Sequence, residues 1–122
     1  MKYMLLIYLD EKALSEPDRD KCYVESAQYA QKLNVSGKYL TAAPLHPTTT
    51  ATSIRTRDGK TLVTDGPFAE TREQLGGFFL VDAKDLDEAI SIASAIPAGR
   101  WGTVEIRPVM EIGGLPESQS IQ

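Results

Sequence analysis

Two kinds of hydrophobic pattern alternate along the chain. Tyr3 to Leu9 is apolar at every position, and so is Phe78-Phe79-Leu80-Val81. Unbroken apolar runs of this length predict strands with both faces buried. After Ser15-Glu16-Pro17-Asp18 the spacing becomes helical. Cys22, Ser26, Tyr29 and Leu33 form one stripe flanked by Tyr23, Ala27 and Ala30, with Asp20, Glu25, Gln28 and Lys32 on the polar side. Ser15 and Asp18 have capping-box spacing, proline is tolerated in a first turn, and Gly37 supplies the stop. Asp85-Leu86-Asp87-Glu88 repeats that spacing before a second helix. It is expected to bury Leu86, Ala89, Ile90 and Ala93 and to end at Pro97-Ala98-Gly99.

Tyr39-Leu40-Thr41-Ala42-Ala43 predicts a short strand, and Pro44-Leu45-His46-Pro47 with the following threonines a loop. Ala51 to Arg57 and Lys60 to Asp65 predict a hairpin around Asp58-Gly59, a pair suited to a type I′ turn. A two-residue turn there sets the register: Arg57 opposes Lys60, Ile54 opposes Val63, and Thr52 opposes Asp65. Thr52, Ile54, Thr56, Thr61, Val63 and Asp65 then share one face, and Arg55, Arg57, Leu62 and Thr64 the other. The last strand alternates, with Val104, Ile106, Pro108, Met110 and Ile112 on one side. Residues 1–112 read as one domain and 113–122 as a polar tail in which Leu115 is free to dock on a partner.

Strand, helix, strand, hairpin, strand, helix, strand is an α+β, ferredoxin-like split βαβ order with an inserted β-hairpin. Two helices cover one face of such a sheet. Met4, Leu6 and Tyr8 make the other face apolar as well, more than a monomer ordinarily exposes. A homodimer packed sheet to sheet is the expected remedy.

At 122 residues the chain suits a single domain, and 42% hydrophobic with 25% charged residues is an ordinary globular balance. A net charge of -4 without clustered Lys and Arg argues against nucleic acid. No apolar run has the length of a membrane span, and Asp10 and Glu11 follow the first apolar run too closely for a signal sequence. The single cysteine, Cys22, excludes an internal disulfide and fits a reducing cytoplasm. One histidine and one cysteine far apart make a transition-metal site improbable, and no nucleotide motif is visible, so no cofactor is expected.

Between the hairpin and the second apolar strand lies Thr64-Asp65-Gly66-Pro67-Phe68-Ala69-Glu70-Thr71-Arg72-Glu73-Gln74-Leu75-Gly76-Gly77-Phe78, longer and more specific than a connecting loop needs. With Met1-Lys2-Tyr3-Met4-Leu5-Leu6-Ile7-Tyr8, Thr50-Ala51-Thr52-Ser53-Ile54-Arg55 and Val104-Glu105-Ile106-Arg107-Pro108-Val109, it resembles the DGPF-domain branch of the YCII-related superfamily. The resemblance implies a bacterial protein with a dimeric α+β barrel, a fold shared with polyketide-type monooxygenases and muconolactone isomerases. It also implies a gene often placed beside extracytoplasmic-function sigma factors. For the wider superfamily an enzymatic role has been inferred from a His–Asp pair. Asp65 is present here, but His46, the only histidine, lies in the loop before the hairpin and does not map onto that pair.

Asp65 is a candidate general base at the mouth of an apolar cavity; alternatively its carboxylate accepts turn N–H bonds. Glu70 and Glu73 address one site if Ala69 to Leu75 makes a helical turn, or else cap the turn or pair with Arg72. Arg55 and Arg107 are candidate receivers of a substrate carboxylate, with ion pairing to Glu105 or Glu111 as the competing role. Phe68 is a candidate apolar contact and His46 a weaker candidate proton shuttle. Gly76-Gly77 is read as backbone geometry, a bulge or close approach, and Cys22 as a buried hydrophobe. Two functions follow. One is a cofactor-free enzyme or binder of small molecules. The other is a regulatory module acting with a sigma factor or related protein.

Overall fold

A computed structural model describes residues 1–117. In chain order it contains β1 (Lys2–Leu9), α1 (Glu16–Val35), β2 (Tyr39–Pro44), β3 (Thr52–Arg57), β4 (Lys60–Asp65), β5 (Gln74–Asp82), α2 (Leu86–Ser94) and β6 (Gly102–Pro108). Short 3₁₀ turns at Thr48–Thr50 and Pro97–Trp101 precede β3 and β6. Four strands form an antiparallel sheet in the order β2-β5-β1-β6, and β3 with β4 forms a separate two-stranded sheet. This is the expected α+β, ferredoxin-like arrangement with its inserted hairpin.

Both helix starts follow from their caps. Ser15 Oγ accepts from the Asp18 N–H at 3.3 Å, and Asp85 Oδ1 accepts from the Glu88 N–H at 2.9 Å. α1 ends where Gly37 takes a φ of 76°. The helices cover one sheet face and bury Tyr3, Leu5 and Ile7 of β1 with Phe79 and Val81 of β5. Cys22 and Leu33 of α1, and Ala89, Ile92 and Ala93 of α2, close that core. Leu86 and Ile90 do not: they are 52% and 45% exposed, because α2 is rotated to seat Ile92 instead. Both stripes of α2 are apolar, and packing chooses between them.

The opposite sheet face carries Met4, Leu6 and Tyr8 beside Phe78 and Leu80, all partly exposed in the single chain. β6 stops at Pro108, which pairs with Tyr3 near the start of β1. Beyond it β1 has almost no residue left to bond, so the alternation through Met110 and Ile112 leaves the sheet and both side chains are exposed. Leu115 is exposed too, and residues 118–122 of the expected tail lie outside the described residues.

The hairpin has the expected register throughout, from Arg57↔Lys60 to Thr52↔Asp65. Asp58 and Gly59 both have positive φ, 51° and 74°, as a type I′ turn requires. The hairpin stands away from the body as an arm, with Ile54 69% and Val63 65% exposed.

Candidate functional site

The helix-covered side of the sheet is not completely filled. α1 crosses β2 and β5 with Ser26, Ala27 and Ala30 facing Ala42, Ala43, Gly76 and Gly77. Small side chains on both layers leave a cavity of about 410 Å³, within the range of small-molecule sites. Ile7, Leu9 and Phe79 supply much of its apolar wall, and Cys22, Ser26, Gln31, Tyr23 and Tyr39 its polar atoms. Gly76 and Gly77 shape it through the backbone. Ile7 faces Gly77 and Tyr8 faces Leu75, so Gly76 is the extra residue of a bulge in β5. A Cβ on Gly77 would stand 2.9 Å from the Ala43 carbonyl oxygen, so β2 approaches this closely only because the side chain is absent.

Burial, above all, pushes the Cys22 thiol up; the contact with Ser26 Oγ, 4.0 Å away, and nearby Arg100 lower it less. The thiol therefore stays protonated and acts as a weak polar wall rather than a nucleophile. Tyr29 anchors the layer beside the cavity. Its hydroxyl donates to the Ile92 carbonyl at 2.7 Å, and its ring centroid lies 6.0 Å from that of Phe79.

A smaller recess adjoins the cavity and shares Leu9, Cys22, Tyr23 and Gly76 with it. Glu11 and Arg19 line this end. Glu11 is committed, accepting from both the N–H and the hydroxyl of Thr48 at 3.0 and 2.9 Å. Arg19 donates to the Glu11 carbonyl at 3.4 Å, and among the described residues no carboxylate lies within ion-pair distance of it. Arg19 lines the recess that adjoins the cavity, and sequence spacing did not single it out.

The seven residues expected from sequence lie elsewhere and do not form one cluster. None of them lines the cavity. Asp65 is exposed at the end of β4, opposite Thr52, and the Gly66 N–H in the adjoining turn bonds to the Ala51 carbonyl at 2.7 Å instead. Arg55 opposes Leu62 on the arm, and His46 is exposed in its loop. Phe68 is 83% exposed and Glu70 is exposed. The segment from Ala69 to Glu73 bends without forming a helical turn, so Glu70 and Glu73 do not share a helix face. Glu73 Oε1 accepts from Thr103 Oγ1 at 2.8 Å, tying the long loop to β6. Arg107 lies on the uncovered sheet face, 3.9 Å from Glu105, whose other oxygen accepts from the Tyr8 hydroxyl at 3.2 Å. Tyr8 is raised from the ordinary phenol value, first by burial and then by Glu105. Among the described residues no three His, Cys, Asp or Glu side chains converge as a metal-ligand set.

The family model of the YCII-related domain matches residues 1–113. The chain belongs to the YCII-related family. A relative in Rhizobium meliloti (strain 1021), uncharacterized protein R00369, is 39% identical over 114 residues, covering 89% of this chain and 92% of its own. Among solved structures, 5-chloro-2-hydroxyhydroquinone dehydrochlorinase from Burkholderia phenoliruptrix AC1100, in complex with 2,5-dihydroxybenzoquinone, shares the fold. Its TM-score is 0.53 at 16% identity, over 90% of this chain and 94% of that one. At that identity the fold alone is what the two have in common. No helix among the described residues of this YCII-related protein is long and apolar enough to cross a membrane.

Proposed function

We propose that this YCII-related protein binds a small, largely apolar organic anion in the cavity beneath α1. The cavity itself carries the reading: about 410 Å³ of space walled by Ile7, Leu9 and Phe79, with Arg19 in the recess at one end. An aromatic carboxylate matches that chemistry. Its ring would remove apolar wall from water, and its carboxylate would meet a guanidinium that no acidic side chain neutralises. Gln31, Ser26 and the tyrosine hydroxyls offer neutral hydrogen bonds along the way.

Binding is favoured over catalysis in this reading. The cavity wall contains no Asp, Glu, His or Lys, and its thiol is held protonated, so it offers no base for abstracting a proton. Asp65 would become a base only for a ligand presented to the exposed end of β4.

Isothermal titration with 2-naphthoate, and with uncharged naphthalene-2-carboxamide, tests the proposal. Saturable binding of the naphthoate is expected, weakened at least ~10-fold by the amide or by Arg19→Gln, a change of about 1.4 kcal/mol. Ala30→Phe should fill the cavity and abolish binding while leaving the far-UV spectrum intact. Binding that survives Ala30→Phe would place the ligand elsewhere and end this reading.

A further inference from the structure

Glu11 is bonded at every one of its polar positions, by residues from three separate segments. Its N–H donates to Gln74 Oε1 at 3.0 Å, and its carbonyl accepts from Arg19 Nη2 at 3.4 Å. Its two carboxylate oxygens accept from the Thr48 N–H at 3.0 Å and from the Thr48 hydroxyl at 2.9 Å. Gln74 is fixed in turn, since its amide donates to the Thr71 carbonyl in the long loop before β5. Thr48 is fixed as well. It opens the short turn Thr48–Thr50, which closes when the Thr50 N–H and hydroxyl donate to the Pro47 carbonyl at 2.9 and 2.7 Å. The Glu11 carboxylate is thereby kept from Arg19. The two residues line one recess and touch through the Glu11 backbone, yet their opposite charges are not within ion-pair distance. A carboxylate beside a guanidinium in a half-buried recess ordinarily pairs with it, with two parallel hydrogen bonds where geometry allows.

We propose that Thr48 is a positioning residue for the anion site: by holding the Glu11 carboxylate, it leaves the Arg19 guanidinium to the ligand. The proposal rests on the reading of the cavity as an anion site. Thr48 is not among the residues that wall the recess, so it acts through Glu11 and not by contact with the ligand. The end of the long loop before β5 gains a role in the same arrangement. Through Thr71 and Gln74 it holds the Glu11 backbone, while Thr48 holds the side chain. With the second hold removed, rotation of the Glu11 side chain brings its charge to Arg19. A ligand carboxylate must then displace an internal one before it binds.

The test uses the purified full chain. Thr48→Pro removes both donors at once. Pro47 already has φ -55° and ψ 155°, the conformation that a residue before proline adopts, so the backbone accommodates the change. Thr48→Val removes the hydroxyl alone. In isothermal titration the affinity for 2-naphthoate should fall at least ~5-fold in Thr48→Pro, the competition expected of a partly exposed internal ion pair, and by less in Thr48→Val. Uncharged naphthalene-2-carboxamide should bind the parent and both variants alike. Adding Glu11→Gln to Thr48→Pro removes the competing charge and should restore naphthoate binding to within ~2-fold of the parent. A merely structural Thr48 would instead give equal losses for both ligands and no rescue. A crystal structure of Thr48→Pro reads the same event without ligand: the Glu11 carboxylate should lie within about 4 Å of the Arg19 guanidinium. A carboxylate that stays away from Arg19, a naphthoate affinity that Thr48→Pro leaves unchanged, or a loss that Glu11→Gln does not rescue would each overturn the proposal. A parent that binds no naphthoate, with the Glu11–Arg19 pair formed in the variant, would end the cavity reading and still uphold the hold of Thr48 on Glu11.

Discussion

Tyr29 and Ile92 join the two helices at a single point: the phenol of α1 donates to a carbonyl of α2 at 2.7 Å across the top of the core. Burial raises the Tyr29 phenol above its ordinary value, so it remains a donor at neutral pH. The Ala95 N–H also reaches the Ile92 carbonyl, at 3.3 Å, so that carbonyl is not orphaned when the phenol is removed. Tyr29→Phe should therefore cost only about 0.5–1.5 kcal/mol. In a chain of this size that lowers the melting temperature by about 2–8 °C. An unchanged melting curve would mean that the two helices are held by apolar packing alone.

The two adjacent glycines of β5 should respond differently to the same change. Gly77→Ala forces a methyl to 2.9 Å from the Ala43 carbonyl oxygen and 3.2 Å from the Pro44 Cα, and backbone cannot rotate away. A loss of about 1–3 kcal/mol is expected, with β2 displaced from the sheet. Gly76→Ala meets the flexible end of Leu9 at 3.4 Å and the Ile7 carbonyl oxygen at an ordinary 3.9 Å, and should cost much less. Chemical denaturation of both variants checks the contrast, which equal losses would refute.

Acid should reach the structure partly through Glu88. Its hydrogen bond from the Lys38 ammonium, then that from the Lys84 N–H, both 3.0 Å, hold the carboxyl below the ordinary glutamate value. A folded-state pKa below the unfolded one contributes stability that is present above the unfolded value and lost as pH falls through the folded value. Glu88→Gln should thus melt lower than the parent at neutral pH, and the two should converge in acid. A gap independent of pH would assign the effect to packing.

Asp65→Asn should hardly matter to stability. The Gly66 N–H is already taken by the Ala51 carbonyl, and Asp65 itself is exposed. A change within about 0.5 kcal/mol is expected. A larger loss in thermal unfolding would show that the carboxylate holds the turn after all.

Local chemistry was legible in the chain because it depends on residues close together. Ser15 with Asp18, Asp85 with Glu88, and Asp58 with Gly59 each complete their geometry within four residues, and the hairpin register follows from the turn plus alternation. The bare sheet face was equally readable, since strand period alone sends Met4, Leu6 and Tyr8 away from Tyr3, Leu5 and Ile7. Tertiary structure decided what depends on volume and rotation. α2 carries two apolar stripes, and only packing could choose Ile92 over Leu86 and Ile90. β6 ends at Pro108 because its neighbour β1 runs out, which no pattern in β6 itself records. The cavity is the space left between Ala27 and Ala30 on one layer and Ala42, Gly76 and Gly77 on another. Periodicity says which way each of these points; the gap between them exists only once segments nearly fifty residues apart have been brought face to face, and so does the position of Arg19 at its end.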